Sequence, residues 1–486
     1  MIRNRKVRFI EPGSRRGRPF NAWITRWPLL GPITLASILD RRGYDVAVYN
    51  ENICGSVLGD SEALEDICSA DVVGISIMTP TAMRGYEIAD HIRQAAPQAT
   101  IVFGGVHATF LPDEAARHGD VVVRGEGENV IEPIARGEIT EGVVTAEPPQ
   151  DLNALPPLNH FLMRDFEKLM ERCRRRELYE LPAMTSRGCP HGCTYCSVTR
   201  MFGRKVRRQS VDKAYSDLMH YARQGFRRFF FYDDNFTADR AWTKELLQRI
   251  APLKFRLNAQ ARVDFHWADR SRRQRDEGLL RVLRRAGGDV LYVGYETIDE
   301  ETARLWRKGY RGAKRLEQRL AEDTRILHDS GFWIHGMFVL GPTHTARTAQ
   351  RIVDFSLRNS LESIQISILT PLPGTPLMDE MRPHLLFTDY PRDWNYYDGT
   401  HCVYNHGRLG LEGVQRTILD AHRRFYRWGV SARRLRAVVE GTIPVRDKLA
   451  LLWNHLRIAR RTLSDWREET KHFLELARTK MANSLA

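Results

Sequence analysis

The sequence lacks the long apolar runs and the paired cysteines that mark membrane-spanning or secreted proteins. No stretch of its 486 residues approaches the length of a membrane-spanning helix. The basic N-terminus runs into a short predicted strand and not into the apolar core of a signal peptide. Seven cysteines, an odd number with three clustered, argue against a secreted disulfide scaffold. We therefore expect a cytoplasmic protein.

The sequence also lacks a recognisable nucleic-acid-binding module and a nucleophile triad, although it is strongly basic. Its formal net charge of +14 is unevenly spread. Residues 1–150 hold 15 Lys/Arg and 20 Asp/Glu, whereas residues 411–486 hold 16 and 8. A basic excess away from the N-terminal part suits a phospholipid surface, nucleic acid or an acidic substrate, but an arginine-rich proteome would produce the same bias. Without a binding module, we expect no nucleic-acid partner.

Three of the cysteines are clustered. Cys189, Cys193 and Cys196 form the pattern C-x3-C-x2-C within residues 187–203. Thiolates this close in sequence can converge on one soft metal centre. An iron–sulfur cube needs four ligands, so three thiolates would leave one iron open to a small molecule. The alternatives are a disulfide pair with a spare thiol, or a zinc site completed by His191.

With Tyr195 just before the last cysteine, this motif resembles the radical S-adenosylmethionine (SAM) superfamily. The resemblance implies a [4Fe-4S] cluster held by the three cysteines, with the open iron chelating SAM. It implies that an electron from the cluster cleaves SAM to a 5′-deoxyadenosyl radical. It also implies an electron donor such as flavodoxin or ferredoxin.

Residues 1–146 alternate short apolar runs with helical patterns near 32–42, 60–69, 82–96 and 112–118. This alternation predicts a parallel sheet covered on both faces, with ligands bound beyond the C-terminal strand ends. The predicted strands are Lys6–Ile10, Asp45–Tyr49, Val72–Ile77, Thr100–Phe103 and Asp120–Val123.

Three loops at those strand ends resemble the cobalamin-binding domain that precedes many radical SAM domains. They read Ser-Ile-Met-Thr-Pro-Thr, Gly-Gly-Val-His-Ala-Thr and Gly-Glu-Gly-Glu. The resemblance implies a Rossmann-like domain whose loops line the cavity for the nucleotide tail of cobalamin. The residues that it assigns to cobalamin are Ser76, Thr79, Gly104, Gly105, Val106, His107, Gly125, Glu126 and Gly127. A Rossmann-like module without a cofactor, kept for packing, is the alternative.

One loop departs from that family. Many cobalamin domains carry a cobalt-ligating histidine in an Asp-x-His-x-x-Gly motif after the first strand, but residues 11–20 contain no histidine. His107 is an alternative ligand on paper, although its place in the tail-binding loop favours a polar wall residue. Trp23 and Trp27 either border the cofactors or form a hydrophobic plug, and we favour the plug.

A proline-rich stretch opens a predicted linker over residues 147–179. Residues 180–376 then form six strand–helix units, which predicts a partial (β/α)6 barrel of the TIM type with its chemistry at the C-terminal strand ends. The predicted strands are Leu181–Ser186, Arg228–Tyr232, Arg256–Ala261, Val290–Glu296, Trp333–Leu340 and Ile364–Leu369.

Polar residues follow several of these barrel strands. Asp233, Asp234 and Asn235 resemble the Asp-Asp-Asn-Phe sequence of the cobalamin-associated radical SAM family, which implies contact with the amino group of SAM. Helix capping is their alternative role. Arg262 could clamp a carboxylate in a bidentate manner, and Glu296 could bind the ribose or the sulfonium region.

The C-terminal region, residues 377–486, holds an aromatic segment and a helical pattern. The segment at 394–404 resembles the substrate-side cap of the family. Its candidates for hydrogen bonding or hydrogen-atom donation to a substrate radical are Tyr396, Tyr397 and Cys402. A hydrophobic lid is the alternative. The basic amphipathic helix predicted at 445–480 either packs on the barrel or makes peripheral contact with a membrane.

The motifs together predict a cobalamin-dependent radical SAM enzyme with three cofactors: the cluster, SAM and cobalamin. The resemblance implies that the adenosyl radical removes hydrogen from an unactivated carbon and that methylcobalamin supplies a methyl group to it. The expected substrate is a hydrophobic small molecule, such as a lipid, isoprenoid or tetrapyrrole. Radical cyclisation or carbon–carbon coupling without methyl transfer is one alternative, and a non-catalytic cobalamin or redox sensor is another.

Overall fold

Two parallel six-stranded sheets organise the chain. The computed structural model describes residues 5–14, 27–172, 179–269, 271–310, 315–427 and 463–480. Among these residues, no helix combines the length and the apolar character needed to cross a membrane. The fold is α/β, as the sequence pattern predicts. Trp23 and the first half of the predicted C-terminal helix, residues 445–462, lie outside the described residues.

The first sheet has the strand order β2-β1-β3-β4-β5-β6. Its strands are β1 Lys6–Glu11, β2 Asp45–Asn50, β3 Val72–Ser76, β4 Thr100–Gly104, β5 Val121–Gly125 and β6 Gly142–Ala146. Its helices are Leu30–Asp40, Glu51–Cys54, Ser61–Cys68, Ala82–Ala95, Val106–Phe110, Pro112–Ala115 and Ile131–Arg136. The order reverses between β1 and β3, so a crevice for a ligand opens beyond the C-terminal ends of these strands.

The predicted strands of this sheet agree with the observed ones to within a residue or two at each end. The central strands are apolar and buried on both faces, as in β3 and β4. The sequence pattern does not predict β6, because it is a short edge strand whose residues are mostly exposed to solvent. Val143 in that strand is 44% exposed.

The second sheet is the partial barrel, with the order β14-β13-β12-β11-β10-β7. Its strands are β7 Glu180–Ala183, β10 Arg228–Phe231, β11 Arg256–Ala261, β12 Gly288–Glu296, β13 Trp333–Leu340 and β14 Ser363–Ile368. A two-stranded antiparallel pair, β8 Ser186–Arg187 and β9 Arg207–Arg208, lies beside it. Its helices, after Phe166–Arg172 of the linker, are Val198–Met201, Val211–Arg223, Arg240–Ile250, Glu277–Arg285, Glu300–Leu305, Leu316–Asp329, Ala346–Arg358 and Pro376–Met381.

The first barrel strand ends earlier than the sequence predicts. Instead of continuing to Ser186, β7 ends at Ala183, and the chain turns to pair with β9. Asp233 causes the turn, because its carboxylate accepts hydrogen bonds from the amide of Thr185 at 3.1 Å and the hydroxyl of Ser186 at 2.5 Å. Because of these hydrogen bonds, residues 185–186 do not continue the parallel pairing of β7 with β10.

Trp27 packs on the barrel as a hydrophobic plug. Its ring stacks on Phe230 of β10 with centroids 4.3 Å apart and meets Tyr292 of β12 edge-on at 5.8 Å. The hydroxyl of Tyr232 donates a hydrogen bond to the carbonyl of Trp27 at 2.8 Å. The structure therefore agrees with the plug interpretation.

The C-terminal region packs on the barrel through the helices Gly410–Phe425 and 463–480. Trp466, Phe473 and Ala477, on the apolar stripe of the second helix, are each at most 1% exposed. Phe473 stacks on Phe387. This half of the stripe is buried against protein, which favours packing on the barrel for residues 463–480. Membrane contact stays a prediction.

Candidate functional site

The three cysteines lie in a loop, residues 188–197, that follows β8 at the C-terminal end of the barrel. We call it the cysteine loop. Main-chain hydrogen bonds hold it on two sides: Thr194 donates to the carbonyl of Trp306 at 3.3 Å and accepts from the amide of Leu377 at 3.2 Å. The amide of Cys189 also donates to Gly203 at 3.4 Å. These bonds fix the loop to the segments that follow β12 and β14.

The cysteine loop fits an iron–sulfur cluster better than a single metal ion. All three thiols are free and half-buried, and burial raises the pKa of Cys189 and raises that of Cys196 to about 11. Across the described ranges, no three His, Cys, Asp or Glu side chains are arranged around one metal ion. The described residues thus give no support to the zinc alternative with His191. In a four-iron cluster the three thiolates would serve as ligands, and bonding to iron would stabilise their charged form.

The acidic motif after β10, Asp233, Asp234 and Asn235, makes hydrogen bonds to the start of the cysteine loop and to the residues just before it. Asp233 is 1% exposed, and both of its oxygens accept hydrogen bonds from Thr185 and Ser186. Asp234 accepts from the amide of Gly188 at 3.2 Å, and burial raises the pKa of Asp234 to about 6. Asn235 accepts from a neighbouring hydroxyl. Asp233 thus holds the segment that precedes the loop, and Asp234 holds the loop itself at Gly188. Contact of Asp233, Asp234 and Asn235 with SAM stays a prediction.

Capping of the next helix is done by another residue. Asp239 accepts a hydrogen bond from the amide of Trp242 at 3.1 Å at the start of the helix Arg240–Ile250. The capping alternative for the acidic motif therefore does not apply.

Arg262 and Glu296 lie at the same end of the barrel, and each is paired within the protein. The guanidinium of Arg262 makes a bidentate ion pair with Asp264 at 2.9 and 3.0 Å. Glu296 pairs with Lys308 at 2.8 Å. The carbonyl of Lys308 in turn accepts from Arg262 at 3.0 Å, and Tyr310 lies under the guanidinium. Direct contact of Arg262 or Glu296 with SAM stays a prediction.

The glycine pair after β4 has two distinct roles. Gly104 faces open space, since a Cβ placed there would meet no atom within 4 Å. Gly105 has φ of 93°, and its Cβ would lie 2.7 Å from the carbonyl oxygen of Ile77. The first glycine leaves room for a ligand, and the second is required by the chain itself. Room beside Ser76 and Gly104 fits the predicted cavity for the nucleotide tail.

His107 is engaged by the protein and is unsuited to ligate cobalt. The side chain is fully buried, with Nδ1 3.3 Å from the hydroxyl of Thr79 and Nε2 3.0 Å from Glu114. Glu114 also accepts from the indole of Trp394 at 3.0 Å and from Tyr86 at 2.9 Å. His107 therefore ties the cobalamin-type domain to the aromatic segment, and its prediction as a wall residue agrees with its position better than the ligand alternative.

The Gly-Glu-Gly-Glu loop contacts the barrel. Glu126 pairs with Arg187 at 2.5 Å and with Arg207, and Glu128 pairs with Arg187 at 2.6 Å. Arg187 is buried and immediately precedes the cysteine loop. The carboxylate predicted to meet cobalamin thus points to the loop of the other domain, while Gly125, with φ of 95°, and Gly127 shape the turn.

A cavity of about 350 Å³ lies between the two domains. We call it the chamber. Both domains and the C-terminal region line it, mainly with apolar side chains. Its lining includes Met78, Thr79 and Val106 of the first domain, Tyr195 and Ser197 of the cysteine loop, Leu369, Thr370 and Leu372 after β14, and Tyr397, Asp398 and Thr400 of the aromatic segment. Among the described lining residues, Asp398 is the one that carries a charge.

The structure brings one of the three radical-donor candidates to the chamber. Tyr397 lines it, although its hydroxyl donates to the carbonyl of Phe387 at 2.7 Å. Tyr396 packs on Phe387 and on the C-terminal helix instead. Cys402 is fully buried, its thiol donates to a carbonyl at 3.3 Å, and burial raises its pKa to about 12. The positions of Tyr396 and Cys402 do not support their predicted role, because neither lines the chamber.

Family models match both halves of this arrangement. Residues 25–135 match the B12 binding domain, and residues 184–356 match the Radical SAM superfamily. The chain is a cobalamin-binding radical SAM enzyme. The family, the fold and the three cofactors predicted from the sequence are thereby confirmed. The sensor alternative is not supported.

Relatives of this cobalamin-binding radical SAM enzyme cover most of its length. It is 27% identical over 440 residues to bacteriochlorophyllide d C-12(1)-methyltransferase of Chlorobaculum tepidum, with 89% of each chain covered. It is 23% identical over 456 residues to anaerobic magnesium-protoporphyrin IX monomethyl ester cyclase of Cereibacter sphaeroides, covering 87% of this chain and 70% of the relative. The fold matches the radical SAM methyltransferase TsrM of Kitasatospora setae, with a TM-score of 0.64, 16% identity and coverage of 96% and 100%.

Several residues at the site are not predicted by sequence reasoning. Lys308 and Arg187 pair with predicted site residues, and Glu114 binds His107, yet no sequence motif singles out any of the three. Asp398 lies inside the aromatic segment, where a carboxylate among aromatic residues is the one signal that points to it.

Proposed function

We propose that this enzyme transfers a methyl group to an unactivated carbon of a hydrophobic tetrapyrrole. One observation carries the proposal: a single, mainly apolar chamber is bounded by the cobalamin-type loops, the cysteine loop and the aromatic segment. A volume of about 350 Å³ is in the range of small-molecule sites. A substrate carbon in this chamber would be next to both halves of the molecule that carry cofactors.

The cofactors supply a SAM-derived radical from the cluster and a methyl group from cobalamin, and the chain supplies the enclosure. Cys189, Cys193 and Cys196 hold the cluster. Trp306 and Leu377 fix their loop through main-chain hydrogen bonds. The apolar lining excludes water, which would otherwise compete for reactive species.

The tetrapyrrole class rests on the lining and on the relatives. Leu369, Leu372 and Val106 offer apolar contact to a flat ring system. Thr370 and Asp398 are polar lining residues that could orient substituents, and Asp398 also pairs with His401 at 3.0 Å. The methyltransferase and the cyclase described above are both named for tetrapyrrole substrates.

Anaerobic reconstitution tests the proposal. The protein is loaded with iron, sulfide and cobalamin, reduced, and incubated with SAM and an extract of a strain that lacks it. We expect a tetrapyrrole in the extract to gain one methyl unit. Turnover of SAM without any methylated product would contradict methyl transfer.

Radical cyclisation is the second candidate, because the cyclase similarity also extends along most of the chain. A cyclised product gains no methyl unit, so product mass separates the two reactions. An electron donor such as flavodoxin or ferredoxin is part of either proposal, since both begin with one-electron reduction of the cluster.

A further inference from the structure

Three exposed basic residues lie against the cysteine loop. Arg200, Arg204 and Lys205 are all exposed, and we call them the basic lip. The sequence from residue 187 to residue 208 contains six Lys or Arg residues and no Asp or Glu. The lip therefore presents a concentrated positive charge to solvent.

The basic lip contacts the cysteine loop directly. Arg204 donates a hydrogen bond to the carbonyl of Pro190 at 3.2 Å, and its Cζ lies 3.8 Å from the position of a Cβ on Gly192. Pro190 and Gly192 both lie between Cys189 and Cys193. The guanidinium thus covers the outer surface of the loop that holds the cluster.

The neighbouring basic residues differ from the lip in having acidic partners. Arg187 and Arg207 pair with Glu126, and Arg208 pairs with Asp239 at 2.7 Å. In contrast, no carboxylate in the described parts of the chain lies within ion-pair distance of Arg200, Arg204 or Lys205. No described residue neutralises their charge, so that charge is available to a partner.

We propose that the basic lip is the docking surface for a small electron-transfer protein with an acidic face. This inference rests on the proposed function, which requires one-electron reduction of the cluster. One electron passes from the donor to the cluster, so the donor is oxidised by one electron and the cluster is reduced by one. No bond forms or breaks in this step. Attraction between the basic lip and an acidic face of the donor would bring the donor close to the cysteine loop. The electron would then have a short distance to travel to the cluster.

Rapid-mixing kinetics of cluster reduction test the proposal without any substrate. The reconstituted protein is mixed with fully reduced flavodoxin, and the loss of cluster absorbance is followed. The variant Arg204→Glu/Lys205→Glu should slow the second-order rate at low ionic strength by at least about tenfold. The difference should shrink in about 1 M salt, where screening acts over roughly 3 Å. The final extent of reduction by dithionite should be unchanged.

The matched control is Arg223→Glu/Arg285→Glu. These exposed residues end helices that return to the N-terminal ends of β10 and β12, so they carry the same charge change at the opposite end of the barrel. This control should keep the native rate with flavodoxin. An equal effect in both variants would overturn the proposal, because net charge alone would then explain the slowing.

A second variant covers the case in which loss of the Arg204 hydrogen bond damages the cluster. Arg200→Glu/Lys205→Glu leaves the bond to Pro190 in place. If it retains iron and dithionite reduction but is slow with flavodoxin, the proposal stands. If it is reduced by both flavodoxin and a ferredoxin at the native rate, the proposal fails. Because cluster reduction is read directly, either result is independent of whether methyl transfer is the reaction.

Discussion

The two sheets present different surfaces at the ends of their strands. At the barrel end, the polar side chains are paired with protein groups: Asp233 with Thr185 and Ser186, and Arg262 with Asp264. At the cobalamin-type end, the absence of a side chain at Gly104 leaves open space. Substitutions at the barrel end should therefore act through the position of the cysteine loop, and those at the other end through the volume left for a ligand.

The largest effect should follow removal of a cluster ligand. Cys193→Ala leaves two thiolates, which cannot hold a four-iron cluster with one open iron. We expect loss of cluster iron, loss of its visible absorbance and no SAM cleavage. Cys68→Ala, in the first domain, is the control and should keep all three. Full cluster content in Cys193→Ala would show that another ligand set is used.

Removing the buried carboxylate at the barrel end should disturb the cysteine loop. Asp233→Ala leaves the amide of Thr185 and two hydroxyls without their acceptor, and each buried unsatisfied group costs about 1–3 kcal/mol. We expect a lower free energy of unfolding in urea and several-fold less iron per chain. Asp212→Ala, at an exposed position, should change neither. Normal iron content in Asp233→Ala would show that the loop does not depend on this carboxylate.

The two adjacent glycines should respond in opposite ways. Gly104→Leu places a side chain in open space, so it should weaken cobalamin binding at least about tenfold while the fold remains stable. Gly105→Ala forces a side chain into left-handed backbone against Ile77, so it should destabilise the domain by about 1–2 kcal/mol or more. Cobalamin titration and urea unfolding separate the two effects. Unchanged cobalamin affinity in Gly104→Leu would mean that the open space is not the cofactor cavity.

A pH-dependent effect concerns a carboxyl group at the end of β1. Burial raises the pKa of Glu11 to about 8 from 4.5, while its side chain accepts from Leu29 at 3.1 Å and Asn50 at 2.7 Å. The folded state then binds the proton more tightly, so the stability falls as the pH rises from about 4.5 to about 8. The slope approaches about 1.4 kcal/mol per pH unit within that window.

Glu11→Gln tests this slope. The variant cannot ionise, so its free energy of unfolding should lose this part of the pH dependence and exceed that of the native protein most clearly near pH 8. Glu87→Gln, on the exposed side of a helix, should follow the native curve. Parallel curves for the native protein and Glu11→Gln would show that Glu11 is ionised in the folded state at neutral pH.

Much of the fold follows from local sequence patterns, whereas much of the site does not. Buried apolar runs with regular helix spacing predict eight central strands and three of the four edge strands, but the exposed edge strand β6 has no such run. The cysteine loop is predicted because its three ligands are adjacent in sequence. The pairs Glu126–Arg187 and Glu114–Trp394 join residues 61 and 280 positions apart, and no local pattern links them.

The direction of individual side chains in the aromatic segment is not predicted from the sequence. Cys402 and Tyr396 lie in the aromatic segment that lines the chamber, but the chain turns each of them toward the interior. Tyr397, between them in sequence, reaches the chamber. Composition therefore predicts that the aromatic segment lines the chamber. Which of its side chains point into the chamber depends on the packing of the whole segment.

The most direct test of methyl transfer is the mass of the product made with SAM whose methyl group carries three deuterium atoms. The reconstituted, reduced enzyme is incubated with the labelled SAM and its tetrapyrrole substrate. We predict a product in which one trideuteromethyl group replaces one hydrogen atom. A product that has lost hydrogen without gaining the label would contradict methyl transfer and favour cyclisation.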